Sequence, residues 1–159
     1  MKYITILMLF ITINVYSQEV KNINFIIVID EEIITNSLGV KLLITSKDES
    51  SREIKTTTGY YPGNISLRKS DYDDLISDET QSVILKFNYQ TYIKDKSYYY
   101  TYEIEAGKNW FNHNMFFILK VYNLDKKKYR KRFDPLSKDK NYTFELNTSE
   151  GQMLRIKKR

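Results

Sequence analysis

Apolar and polar side chains alternate with a period of two along most of this chain. That repeat sends successive residues to opposite faces of a strand and cannot keep one face of a helix apolar. Ile23, Phe25, Ile27 and Ile29 fall on one side, with Asn22, Asn24, Ile26 and Val28 on the other. Val40, Leu42 and Ile44 alternate with Lys41, Leu43 and Thr45. Further on, Val83, Leu85, Phe87 and Tyr89 oppose Ser82, Lys86, Asn88 and Gln90. Tyr98, Tyr100, Tyr102 and Ile104 oppose Tyr99, Thr101, Glu103 and Glu105. The run from Met115 to Tyr122 is apolar on both sides for several residues, as a strand at the centre of a sheet must be. Shorter segments at Arg52–Thr58, Asn64–Arg68, Tyr142–Leu146 and Met153–Lys157 complete the set.

Turn residues separate these strands at hairpin spacing, notably Gly59-Tyr60-Tyr61-Pro62-Gly63, Lys94-Asp95-Lys96 and Thr148-Ser149-Glu150-Gly151. One helical candidate interrupts them, Ser70–Ile76, with Ser70 placed to cap its first turn. A single sheet of so many strands would leave an apolar face bare. The expectation is therefore an all-β, two-sheet antiparallel β-sandwich of about eight strands with one short helical turn.

The first seventeen residues stand apart from this pattern. Lys2 opens an apolar stretch from Tyr3 to Ile13, and Val15-x-Ser17 supplies the small pair a signal peptidase accepts. The stretch is too short for a spanning helix, which needs about 20 apolar residues. No cysteine follows for lipid attachment. Residues 1–17 read as a signal peptide cut after Ser17, and 18–159 as one domain, since no proline- or serine-rich hinge divides it. The protein is expected to be secreted or periplasmic. The segment resembles the signals of Gram-negative bacteria, and a cysteine-free exported chain points to a bacterium rather than a disulfide-rich eukaryotic secretory module.

Fourteen tyrosines, eight phenylalanines and one tryptophan stand against five glycines and two prolines, a composition of strands rather than linkers. Gly39-Val40-Lys41-Leu42 and Gly59–Leu67 resemble the early strands of secreted transthyretin-like or immunoglobulin-like modules of Gram-negative bacteria. That resemblance implies a β-sandwich that binds or spaces other molecules and does no chemistry. No family functional residue carries over to this chain.

Few residues offer themselves for catalysis. His113 is the only histidine, so a zinc site or a nucleophilic triad would have to run through it, without thiols and without a Gly-x-Ser-x-Gly elbow. Glu103 and Glu105 share a strand face at roughly 7 Å, a separation glycosidases use, yet catalytic pairs come from separate walls of a cleft. Asp71, Asp73, Asp74, Asp78 and Glu79 are acidic without the ordered calcium loop. No metal or cofactor is expected, and no enzymatic activity. Sequons at Asn64, Asn141 and Asn147 would matter only in a eukaryotic secretory route.

Binding is better served. Tyr60, Tyr61, Tyr99 and Trp110 are the aromatics expected in turns or facing outward, where a sugar or protein could stack on them. Lys126, Lys127, Lys128, Arg130, Lys131 and Arg132 form a basic run read as a hairpin loop, with Tyr129 as a stacking surface for anionic lipids or glycans. Lys157-Lys158-Arg159 could extend it. The net charge of +5 is too mild to indicate a nucleic-acid partner. The expectation is an exported, non-catalytic binding module for a protein or glycan of the cell envelope. The alternatives are an inhibitor or immunity-type protein acting through an edge strand, and a carboxylate hydrolase.

Overall fold

The computed structural model describes residues 19–57, 59–93, 95–111, 115–151 and 153–155. The expected signal peptide, His113 and the terminal Lys157-Lys158-Arg159 lie outside the described residues. In chain order the strands are β1 (Val20–Ile29), β2 (Glu32–Ile33), β3 (Val40–Ser46), β4 (Ser51–Lys55), β5 (Tyr60–Tyr61) and β6 (Gly63–Arg68). After them come β7 (Thr80–Ile93), β8 (Lys96–Ala106), β9 (Phe116–Asn123), β10 (Tyr142–Thr148) and β11 (Met153–Arg155). The larger sheet has the order β11-β10-β9-β1-β6-β5, with β2 paired to the far end of β1; the smaller runs β4-β3-β7-β8. A helix α1 (Lys69–Ile76), a 3-10 turn (Lys108–Phe111) and a helical turn α2 (Lys127–Arg130) fill the connections. No helix among the described residues is long and apolar enough to cross a membrane.

The alternation decides what lies between the sheets. Ile23, Phe25 and Ile27 of β1, Leu119 and Val121 of β9 and Phe144 of β10 meet Leu42 of β3, Val83, Leu85 and Phe87 of β7 and Tyr102 of β8 in one buried cluster. Aromatic rings cross the interface directly. Tyr102 meets Tyr142 edge-on at 5.1 Å, and Trp110 meets Phe144 at 6.1 Å.

Three details differ from the sequence expectation. The sheets are not antiparallel throughout, because β1 and β9 pair in parallel from Asn24↔Phe116 to Ile29↔Val121. Both strands have apolar residues on each face, which suits the buried centre of a sheet, where parallel pairs are found. There are also more strands than about eight. Of the extra ones, β2 and β5 have two residues each, too few to display a period. β2 exists because Asp30 and Glu31 adopt positive φ, 54° and 75°, closing a tight turn back onto β1. Finally, α1 begins at Lys69, so Ser70 lies inside it. Arg68 occupies the extended cap position without a side-chain cap, and a Lys69–Asp73 ion pair of 2.7 Å braces the first turn instead.

Tyr60 corrects a fourth expectation. It is 0 % exposed and cannot receive a ligand. Its hydroxyl accepts the Ile27 N–H at 3.1 Å and donates to the Ile34 carbonyl at 3.1 Å, stitching β5 to the β1–β2 hairpin. Tyr60→Phe leaves both buried backbone groups without their partner and is expected to cost about 1–3 kcal/mol. Urea unfolding should show a lower midpoint at unchanged slope.

Candidate functional groove

β7 and β8 outrun their sheet. The pairing of β3 with β7 ends at Val40↔Phe87, whereas β7 and β8 stay paired to Ile93↔Lys96. Residues 88–93 and 95–101 therefore stand out as a two-stranded arm. The chain entering β3, residues Glu32–Gly39, swings away from β7 and forms the opposite wall of a groove of about 650 Å³. Asn88, Tyr89, Gln90 and Tyr99 line the arm side, and Ile33, Thr35, Asn36 and Ser37 the other. A second depression of about 410 Å³ shares Ser37, Leu38, Gly39 and Asn88 and carries the groove on to Lys55 and Thr56.

The chemistry of this groove is that of amides, hydroxyls and one open phenol. Tyr99 is 75 % exposed. It stands directly opposite Gln90 in the β7–β8 register, so their side chains share the outer face. Gln90 Nε2 lies 2.6, 2.8 and 2.9 Å from the hydroxyls of Tyr92, Ser97 and Tyr99. An amide nitrogen has two hydrogens for these three oxygens, so one hydroxyl is always left to bond elsewhere. Thr101 Oγ1 donates to Asn88 Oδ1 at 2.9 Å, fixing the second amide of the floor. Over Gly39 the space is empty: a Cβ there would meet nothing within 4 Å. Glu32, Lys41 and Lys55 are the ionisable groups bordering the two depressions, apart from the Tyr89 and Tyr99 phenols.

The aromatics singled out from sequence do not converge. Tyr99 lines the groove. Tyr60 is buried, as described above. Tyr61 is 64 % exposed but sits on β5, at an edge of the other sheet. Trp110 is half-buried, leaning on Phe144 and the core. Sequence reasoning missed Asn88 and Gln90. The signal for Gln90 was available, since folding the two arms about the Lys94-Asp95 turn sets it opposite Tyr99.

The basic run is not a loose loop. Tyr129 is fully buried in a small cluster with Tyr122, Leu124 and Phe133, its ring 5.0 Å from that of Tyr122, so it offers no stacking surface. Lys126 pairs with Asp30 at 2.9 Å and Lys128 with Glu31 at 2.7 Å. The helical turn puts Tyr129 inward and leaves Lys127, Arg130, Lys131 and Arg132 exposed, without an ion pair among the described residues. The acidic segment is likewise engaged: Arg52 bridges Asp71 and Asp74, and Lys69 holds Asp73. No group of three His, Cys, Asp or Glu among the described residues could hold a metal ion.

Glu103 and Glu105 border another cleft, of about 710 Å³, with Leu136, Ser137, Lys140 and Phe144. Lys86 at 2.6 Å and Lys140 at 2.9 Å clasp the two oxygens of Glu103. Their hydrogen bonds, Lys86 first, pull its pKa down to about 2. A carboxyl held so low is ionised at neutral pH and cannot serve as the proton donor of a glycosidase pair.

No family model, no curated protein and no solved structure matches this chain.

Because the folded pKa of Glu103 lies below its ordinary value of 4.5, its contribution to stability is present above that value and is lost as pH falls toward about 2. The side chain is about a third open to solvent, so the effect is small and screened by salt. Denaturation midpoints of the parent and Glu103→Gln should differ at about pH 6 and converge as pH approaches 2, a gap tracked by urea titrations.

Proposed function

We propose that this chain is an exported, non-catalytic binding module that takes a neutral oligosaccharide of the cell envelope in the groove between the β7–β8 arm and residues 32–39. The observation that carries this reading is the pairing of an open phenol with fixed carboxamides along an extended, mostly uncharged trough. Sugar rings present a C–H face that packs on an aromatic ring, and hydroxyls that both donate and accept. Tyr99 supplies the ring; Asn36 and Asn88 supply amides that donate and accept, and Gln90, its amide hydrogens held by neighbouring hydroxyls, supplies a carbonyl acceptor. The volume is that of a ligand site, and two depressions in series fit a chain of units better than one compact molecule. The signal-peptide reading of residues 1–17 supports work outside the cytoplasm, where such glycans occur. Lys127, Arg130, Lys131 and Arg132, which make no ion pair among the described residues, add a mild attraction to anionic surfaces and play no part in the groove.

Gly39 provides the sharpest test. Its backbone conformation is open to any residue and its Cβ direction is empty, so Gly39→Phe should fill the groove at little cost to folding. Gly39→Phe and Tyr99→Ala should each weaken binding to a neutral oligosaccharide found on a glycan array by about tenfold or more, roughly 1.4 kcal/mol. Tyr61→Ala, on the other sheet, should bind as the parent does. Calorimetric titration measures this. Unchanged affinity in both groove variants, or no neutral glycan bound at all, would overturn the reading.

A further inference from the structure

Residue parity reveals which backbone groups of β8 are engaged. Glu103 is opposite Lys86 in the register, yet its N–H donates to the Tyr142 hydroxyl at 2.8 Å and its carbonyl accepts from that hydroxyl at 2.7 Å. Its backbone therefore faces away from β7. Antiparallel ladders alternate hydrogen-bonded and non-hydrogen-bonded pairs, so Ser97, Tyr99 and Thr101 also turn their N–H and carbonyl groups outward. β8 is the last strand of its sheet, and these three residues have no backbone partner beyond it among the described residues. Tyr142 and Lys140 cover the edge at Glu103; past that point the edge is bare. Protected edges carry lysine, proline or a bulge, whereas this one reads Ser97-Tyr98-Tyr99-Tyr100-Thr101.

We propose that this edge pairs with β8 of a second copy of the chain, antiparallel about a two-fold axis at Tyr99. In that register Tyr99 faces the partner's Tyr99, and Ser97 faces the partner's Thr101, so every open residue on both copies is used. A shift of two residues either way would set an open residue against Glu103, already held by Tyr142, or against Asp95 in the turn. The register is also self-complementary in its side chains. Ser97 meets Thr101 and Tyr99 meets Tyr99 on one face, and Tyr98 meets Tyr100 on the other. No pair contains a charge, and hydroxyl and aromatic pairs of this kind favour a ladder. Such an interface is isologous and closed. The two-fold axis stands perpendicular to the joined sheet, so the grooves of both copies open on the same side. The dimer presents two grooves to one surface and gains avidity for a repeating ligand.

Sedimentation velocity on the purified protein, across a dilution series, tests this. The parent should sediment as a dimer that dissociates on dilution. Tyr99→Lys or Tyr99→Glu alone sets two like-charged side chains opposite one another across the axis, on Cα atoms about 5.5 Å apart, and should run as a monomer at the same concentrations. An equimolar mixture of the two variants should recover the dimer, because position 99 faces itself only in this register. Tyr99 is mostly solvent-exposed, so both variants should keep the parent circular dichroism. Should either fail to fold, Thr101→Pro, which removes an outward N–H and no backbone bond to β7, and on that strand only the side-chain bond to Asn88, is also expected to be monomeric. A monomeric parent would overturn the proposal, with the edge then open to a strand of another protein. It would also be overturned by a dimer that persists in Tyr99→Lys, by variants that do not re-associate when mixed, or by a Thr101→Pro dimer.

Discussion

Tyr102 is the point at which the two sheets are tied together. Its ring packs 5.1 Å from Phe87 in its own sheet and 5.1 Å from Tyr142 in the other. Its hydroxyl crosses the interface to Asn123 Oδ1 at 2.9 Å, and burial pushes the phenol's pKa up, so it stays a neutral donor. Asn123 in turn gives its backbone N–H and its amide to Asp30, each at 2.8 Å, and Asp30 also accepts from Lys126. One buried phenol thus reaches the β1–β2 turn and the helical turn after β9. Removing the Tyr102 hydroxyl or the Asn123 amide would leave a buried polar group without its partner, which is costlier than the bond itself is stabilising.

The same anchor explains the arm. Up to Tyr102 and Glu103, β8 is clamped by the larger sheet, through the Tyr142 hydroxyl as well as through packing. Beyond that clamp the hairpin has its own ladder and little else, and two strands alone are marginal in water. What stiffens it is aromatic. Tyr100 stacks on Tyr102 at 6.1 Å with the rings nearly parallel, and Gln90 gathers three hydroxyls on the opposite face. Tyrosine suits both jobs, since it packs as a large apolar body while its hydroxyl stays in water. The tyrosine-rich composition is thereby accounted for at the place where the chain leaves its core.

Which residues face the core was legible from the sequence because a period of two is a local property. Ile23, Leu42 and Leu85 could be set inward without knowing what lies opposite, whereas Leu119, in a run apolar on both faces, could not. Their partners were not legible. The Tyr60 hydroxyl bonds to backbone thirty-three and twenty-six residues away, and a two-residue strand gives no period to say which of Tyr60 and Tyr61 turns inward. The parallel pairing of β1 with β9 joins segments about ninety residues apart and leaves no local trace. The basic run misled for a related reason. Its charges dominate the composition, while the decisive residue is Tyr129, whose partners Tyr122 and Phe133 lie one strand end and one helical turn away. Half of the groove was readable, the Gln90–Tyr99 pair, because hairpin register follows from the turn. The half made by Asn36 to Gly39 depends on where β3 stops, which tertiary packing decides.

Edges show how the fold discriminates between pairing and repulsion. At the other end of the smaller sheet, β4 carries Arg52, Glu53 and Lys55 within five residues, and charge in that density discourages a further strand. β5, at one border of the larger sheet, is two residues long and offers almost nothing to pair with. β8 keeps charge at its ends, Lys96 on one side and Glu103 and Glu105 on the other, and none between. Charges at the limits of an apolar, hydroxyl-bearing window confine pairing to that window and penalise slipped registers. Pairing two such windows about a two-fold axis uses both at once and leaves only the charged edge of β4 at each end of the joined sheet. A bare edge bounded in this way closes on one partner and does not propagate, which separates a dimer interface from an aggregation hazard.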